Sequence, residues 1–171
     1  MQRKRKAGFK MRVLVDSSTL IALARIGKLN VLKTLFNEIF ITTMIKEEIL
    51  KEKSPDADAF KEAIGKWIRV INYEGNPAEL RKYGLDSGEA SLFLAARSND
   101  KLILDEANAR RFAETKGLKF TGLMGLIVAA VRTNKITKKE ALGTLNKLAT
   151  GDFRISPELY LWVREEIERS C

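Results

Sequence analysis

Val13-Leu14-Val15-Asp16-Ser17-Ser18-Thr19-Leu20-Ile21 is the stretch whose reading decides the fold. Its first three residues are apolar and two are β-branched, the pattern of a strand buried on both faces. Asp16 and the three hydroxyl residues after it are types favoured at helix N-caps. Apolar residues then recur through positions 20–26, and Gly27 follows, a common helix terminator. A buried strand that runs straight into a capped helix opens a strand–helix–strand unit. It leaves Asp16 at the joint between them.

Working outward, the same alternation continues. Residues 38–42, 67–72, 101–104 and 119–121 read as further short strands. Between them lie helical segments: one ending at Phe36, one from Thr43 to about Glu52, and one opened by Ser54-Pro55-Asp56 and running to about Lys66. A short helix over 77–83 precedes a long one capped by Asp86-Ser87-Gly88-Glu89, and another spans 106–116 before Gly117. Gly122 opens a further helix, and helices over 138–149 and 157–168 finish the chain. Strands alternating with helices predict an α/β fold, a parallel sheet covered by helices on both faces. In such sheets ligands bind beyond the carboxyl ends of the strands. Asp16 and Asp105 both stand at such ends, so they converge if the first and fourth strands are neighbours.

Composition narrows the chemistry. The chain has 171 residues, of which 45% are hydrophobic, enough for one packed domain. We read residues 11–171 as that domain and the basic stretch 1–10 as a disordered arm; no apolar segment follows it, as a secretory signal would require. The apolar run around 123–131 is too short to span a membrane. The one cysteine is Cys171, which excludes an internal disulfide and a cysteine-rich metal site. A cytoplasmic protein is the expectation. Histidine is absent, which rules out His-based acid–base chemistry and His metal ligands. The net charge is +9, which favours polyanionic partners.

The acids also have purely structural readings. Asp16 can cap the helix after it, and Asp105 with Glu106 can sit favourably against a helix dipole. Glu47 and Glu48 can be a solvated face, and Glu89 lies in the first turn of its helix. If the acids do gather, their mutual repulsion calls for a cation, and an all-oxygen donor set suits Mg²⁺ or Mn²⁺ rather than zinc. Lys46 and Arg110 lie near the acid motifs and are candidates to hold phosphate, Arg110 bidentately; a surface ion pair is the other reading of Arg110. The Gly122–Gly125 turn is read as tight packing, with a phosphate-facing helix start as the alternative. Trp67, Tyr160 and Trp162 are read as core or interface aromatics rather than base-stacking platforms. For the C-terminal helices, with Leu159, Leu161, Trp162 and Ile167, the expectation is packing on the core.

Five segments in order give a sharper reading. They are Leu14-Val15-Asp16-Ser17-Ser18-Thr19-Leu20-Ile21, Ile45-Lys46-Glu47-Glu48-Ile49, Leu85-Asp86-Ser87-Gly88-Glu89-Ala90, Leu104-Asp105-Glu106 with Ala109-Arg110 and Ala113, and Thr121-Gly122-Leu123-Met124-Gly125-Leu126. Together, over residues 12–136, they resemble PIN domains, in particular a prokaryotic subgroup. The resemblance implies a three-layer α/β/α sandwich around a central parallel sheet, here with extra C-terminal helices. It implies a metal-dependent ribonuclease similar to the VapC toxins, with RNA as substrate and Mg²⁺ or Mn²⁺ as cofactor. It also implies an antitoxin protein and a homodimer as partners. Residue by residue, the catalytic and metal-binding carboxylates fall on Asp16, Glu48, Glu89 and Asp105. Ser18 takes the place of the small polar residue after the first Asp, and Glu106 is a second acid at the fourth motif. Two rivals stand beside this reading. One is a PIN fold kept as an RNA-binding or protein-interaction module. The other is a haloacid-dehalogenase-like phosphatase with Asp16 as nucleophile, which would leave Glu48 and Glu89 without a role.

Overall fold

The computed structural model describes residues 10–51 and 55–170. The basic arm (apart from Lys10), the Glu52 and Ser54 helix-boundary expectations and Cys171 lie outside the described residues. Five strands, β1 (Val13–Val15), β2 (Ile39–Thr42), β3 (Ile68–Ile71), β4 (Lys101–Ile103) and β5 (Lys119–Thr121), form one sheet in the order β3-β2-β1-β4-β5. Every pairing is parallel. Leu14 sits at the centre, in register with Phe40 on one side and Leu102 on the other.

Helices connect the strands. From β1, the chain passes through α1 (Ser17–Arg25) and α2 (Asn30–Phe36) to β2, then through α3 (Thr43–Lys51) and α4 (Pro55–Ala63) to β3. A 3-10 helix (Pro77–Tyr83) and α5 (Ser87–Ala95) lead back to β4, and α6 (Ala107–Thr115) leads to β5. The first two crossovers step one way along the sheet and the next two step the other way. Since parallel crossovers are right-handed, the two sets cover opposite faces. The fold is therefore a three-layer α/β/α sandwich, as the alternation predicted. The step direction reverses between β1 and β4, and the crevice at that switch point opens at their carboxyl ends.

The core is aliphatic, with Leu14, Val15, Ile41, Leu102 and Ile103 inaccessible to solvent. At the opposite end of the sheet, Arg12 grips Asp100 with two bonds, Nη2 to Oδ2 at 2.6 Å and Nε to Oδ1 at 3.1 Å. Its Nη2 also donates to the carbonyl of Ala95. This bidentate pair ties the start of β1 to the start of β4 and so sets the register that brings Asp16 beside Asp105.

Element boundaries moved slightly from expectation. The helix after β1 begins at Ser17 because Asp16 itself is the cap. The helix after Asp86 is nine residues, not long, since Ala96 turns to extended backbone. The segment 77–83 is a 3-10 helix.

At the C-terminus, α7 (Leu123–Arg132), α8 (Lys138–Thr150) and α9 (Pro157–Arg169) pack on one another. Val163 and Ile167 are fully buried, four residues apart on one face of α9. The expectation of core packing fails for the other apolar residues of that helix. Leu159, Leu161 and Trp162 are 38%, 56% and 49% exposed. Apolar or aromatic residues fill the five consecutive positions 159–163 and so run right round the helix, and only the set on the 3.6-residue period can face the core. Trp67, in contrast, is a core residue, at 7% exposure.

Candidate active site

Asp16 ends β1 and caps α1. Its Oδ1 accepts the backbone N–H of Thr19 at 2.9 Å, the capping role that its position suggested. Its Oδ2 reaches across the switch point and accepts the N–H of Asp105 at 3.0 Å. The cap and the cross-strand contact are thus made by one carboxylate, almost wholly buried. Asp105 is held in turn by three neighbours. Its Oδ2 accepts the Thr19 hydroxyl at 2.7 Å, and its Oδ1 accepts the N–H of Leu123 at 3.0 Å. The N-terminus of α7 therefore points at a carboxylate, as its positive dipole end favours. A Cβ at Gly122 would stand 3.2 Å from Asp105 Oδ1, so the glycine lets the helix start come close.

Glu48 and Glu89 arrive from the other helices. Thr42, at the end of β2, accepts the N–H of Ile45 and shares a hydrogen bond with Ser91 at 2.6 Å. Thr42 thus joins the end of β2 and the start of α3 to α5. Glu48 lies on α3 with Oε1 accepting the Ser17 hydroxyl at 2.9 Å. A Cβ at Gly88 would lie 2.8 Å from Glu48 Oε2; the glycine therefore lets Glu48 pack against the first turn of α5. Glu89 forms a reciprocal capping box with Asp86: its N–H donates to Asp86 Oδ1 at 2.7 Å, and its Oε2 accepts the N–H of Asp86 at 3.0 Å. Glu89 Oε1 is buried and has no hydrogen-bond partner.

This concentration of negative charge carries an electrostatic cost. Burial, reinforced by the Asp105 carboxylate, pushes the Asp16 pKa up to about 7. Burial likewise raises Glu89 to about 7; the Asp86 N–H opposes this, and repulsion from Asp86, Glu106 and Glu48 adds to it. Glu48 is raised by burial, an effect that the Ser17 hydroxyl opposes and Asp86 strengthens. Burial thus raises all three acids, Asp16 and Glu89 to about 7, in surroundings short of positive charge.

A family model described as a PIN domain matches residues 12–169, nearly the whole chain. This chain belongs to the PIN-domain family. No curated protein and no solved structure matches it significantly. Membership accounts for the sandwich and for a nuclease-type fold, and it sets aside the phosphatase reading.

Within this PIN domain the structure brings Asp16 against Asp105, and Glu89 within electrostatic reach of Glu48 and Glu106. Glu106 is exposed at the start of α6. Ser18 makes no hydrogen bond to any of the acids; its neighbours Ser17 and Thr19 do so instead. Lys46 faces solvent on α3. Arg110 is half-buried beside Gly122 and Asp105, without an ion pair among the described residues.

The residues not singled out as site residues from sequence are Ser17, Thr19 and Asp86, the last read only as part of a helix cap. Asp86 had a signal, since Asp-x-x-Glu before an apolar run is a capping-box pattern. Ser17 and Thr19 had none, because which hydroxyl of three faces an acid depends on how α1 is rotated against its neighbours.

The donor set fits a hard divalent cation in kind: oxygen only, buried, and short of positive charge. Among the described residues no three acids share one point closely enough to hold an ion as they stand.

Proposed function

We propose that this PIN protein is a Mg²⁺- or Mn²⁺-dependent endoribonuclease that hydrolyses RNA phosphodiesters at Asp16, Glu48, Glu89 and Asp105. The observation that carries the reading is the buried, unpartnered Oε1 of Glu89, within a group of acids whose pKa values burial and mutual repulsion raise. A fold does not keep such a cluster for stability, because each buried charge costs free energy unless paired. Perturbed carboxylates in a sheet-end crevice are the physical signature of a site.

These four residues would hold the cation, and when bound it neutralises phosphate charge and makes a water molecule more acidic. The chain's own groups divide the remaining work. Asp16 is fixed by Thr19 and Asp105, and Asp105 by Thr19 and Leu123, so both carboxylates are oriented before substrate arrives. Ser17 steers Glu48. One of the carboxylates takes the proton of the attacking water. The water oxygen bonds to phosphorus as the P–O bond to the leaving oxygen breaks. Arg110 sits beside Asp105 with its guanidinium free to grip a phosphate. A toxin role, with an antitoxin covering the acids, and a homodimer extend the same reading on the family resemblance alone.

The test uses end-labelled single-stranded RNA with Mg²⁺, Mn²⁺ or EDTA. Wild type should cut only with metal, and the double variant Asp16→Asn, Glu89→Gln should not cut at all. Equal cleavage by both proteins would place the chemistry elsewhere. Binding without cleavage under every condition would favour the non-catalytic module.

A further inference from the structure

Two fully buried hydroxyls, on Thr42 and Ser91, stand between the helices that carry Glu48 and Glu89, and neither bonds to an acid. The Ser91 hydroxyl donates to the carbonyl oxygen of Gly88 at 2.6 Å. Its one proton is thereby used, so in the 2.6 Å contact between Thr42 and Ser91 the Thr42 hydroxyl is the donor. Thr42 Oγ1 in turn accepts the N–H of Ile45 at 3.2 Å. The bonds therefore run in one direction, from the first turn of α3 through Thr42 and Ser91 to the first turn of α5. Among the described residues no side chain of α3 itself bonds to α5.

We propose that Thr42 and Ser91 are positioning residues, whose bond sets the spacing of Glu48 from Glu89 and with it the affinity of the site for a divalent cation. The inference rests on the metal-dependent reading above and adds two residues outside the four acids. Three arguments carry it. The first is placement. One end of the chain of bonds is Ile45, three residues before Glu48 on α3, and the other is Gly88, next to Glu89. Gly88 is also where the two helices touch, since a Cβ there would meet Glu48 Oε2 at 2.8 Å and Ile45 Cγ1 at 3.5 Å. The second is stiffness: hydrogen bonds weaken steeply with distance and angle, so this pair resists a sliding of α3 along α5 that apolar contacts would tolerate. The third is energetic. A buried hydroxyl pair adds little net stability over apolar groups of the same shape, whereas a fully satisfied polar network specifies one arrangement. Groups that orient the ligands of a cation govern its affinity without touching it.

The experiment titrates Mn²⁺ into the full chain by isothermal calorimetry, with thermal melts and cleavage of end-labelled RNA scored separately. Thr42→Val keeps the shape and removes the hydroxyl, whereas Thr42→Ser keeps the hydroxyl and removes a methyl. Ser91→Ala breaks the same bond from the other side, at a helical position that alanine favours, and leaves Thr42 to accept the Ile45 N–H. Thr42→Val and Ser91→Ala should each weaken Mn²⁺ binding about tenfold and lower kcat while KM for RNA holds. The two combined should bind no more weakly than either alone, because both remove one bond. Thr42→Ser should bind Mn²⁺ like wild type although it melts lower. Mn²⁺ affinity that falls in step with melting temperature across the three variants would overturn the inference, as would wild-type affinity in Ser91→Ala. Wild type that binds Mn²⁺ and cuts RNA, beside hydroxyl variants that do the same, sinks the positioning role and leaves the nuclease standing. Hydroxyl-dependent Mn²⁺ binding without cutting does the reverse, and wild type that binds no Mn²⁺ overturns both.

Discussion

Replacing Asp16 with Asn should stabilise the protein at pH 8 while abolishing cleavage. Asp16 has a folded-state pKa of about 7 against an ordinary 3.8. Folding therefore favours its protonated form. The stability from this group is fully present below about pH 4 and is lost as pH rises through about 7. A difference of about 3 units corresponds to about 4 kcal/mol of penalty once the carboxylate is ionised. Asn carries no charge and removes that penalty. Its carbonyl oxygen can still accept the Thr19 N–H, but its NH₂ then faces the N–H of Asp105, and that lost bond costs about 1–3 kcal/mol. The net gain at pH 8 is about 1–3 kcal/mol, or a melting temperature higher by about 3–10 °C for a domain of this size. At pH 5 folded Asp16 is protonated while the unfolded carboxylate is ionised, so only about 1.6 kcal/mol of the penalty is present; the lost bond offsets it, and the gain should nearly vanish. Melts by circular dichroism at both pH values, without metal, measure this directly. A variant that melts lower than wild type by the same amount at pH 5 and pH 8 would refute the argument, because no charge penalty would then exist at Asp16. Added Mg²⁺ at pH 8 should raise the wild-type melting temperature and leave the variant's nearly unchanged.

Other perturbations separate site geometry from stability. Gly88→Ala places a Cβ 2.8 Å from Glu48 Oε2 and 3.3 Å from Asp86 Oδ1; the Glu48 carboxylate can swing away, and alanine favours helix by about 1 kcal/mol. Melting should thus be little changed while cleavage falls at least about tenfold, as gel assays and melts in parallel would show. Thr19→Val removes the hydroxyl on Asp105 at a fully buried position; a loss of about 1–2 kcal/mol in denaturant titration and a drop in cleavage are expected. Ser17→Ala leaves Glu48 without the bond that lowers its pKa, so the acid limb of the pH–rate profile should move to higher pH. For wild type, cleavage should rise between pH 5 and pH 8 as Asp16 and Glu89 lose protons, and saturating metal should move that limb to lower pH; a flat profile would count against both residues acting as carboxylates.

The alternation of short β-branched runs with capped helices is local information, and it sufficed for the parallel sandwich and for placing Asp16 and Asp105 at strand ends. The Asp86-x-x-Glu89 box is equally local, since its two partners lie within one turn. The absence of histidine and the lone terminal cysteine leave carboxylates, hydroxyls, lysine or a metal they hold as the sources of any catalysis. Tertiary structure decided what depends on rotation and register. The pairing of β1 with β4, locked by Arg12 and Asp100, determines that Asp16 meets the Asp105 N–H. The rotation of α1 hands Ser17 to Glu48 and Thr19 to Asp105, and leaves Ser18 bonded to none of the acids. In α9 five consecutive residues, Leu159 to Val163, are apolar or aromatic, and nothing local distinguishes Val163, which packs, from Trp162, which faces out. That choice is made by the surface of α7 and α8 beneath the helix, because a helix can bury one stripe and must expose the other.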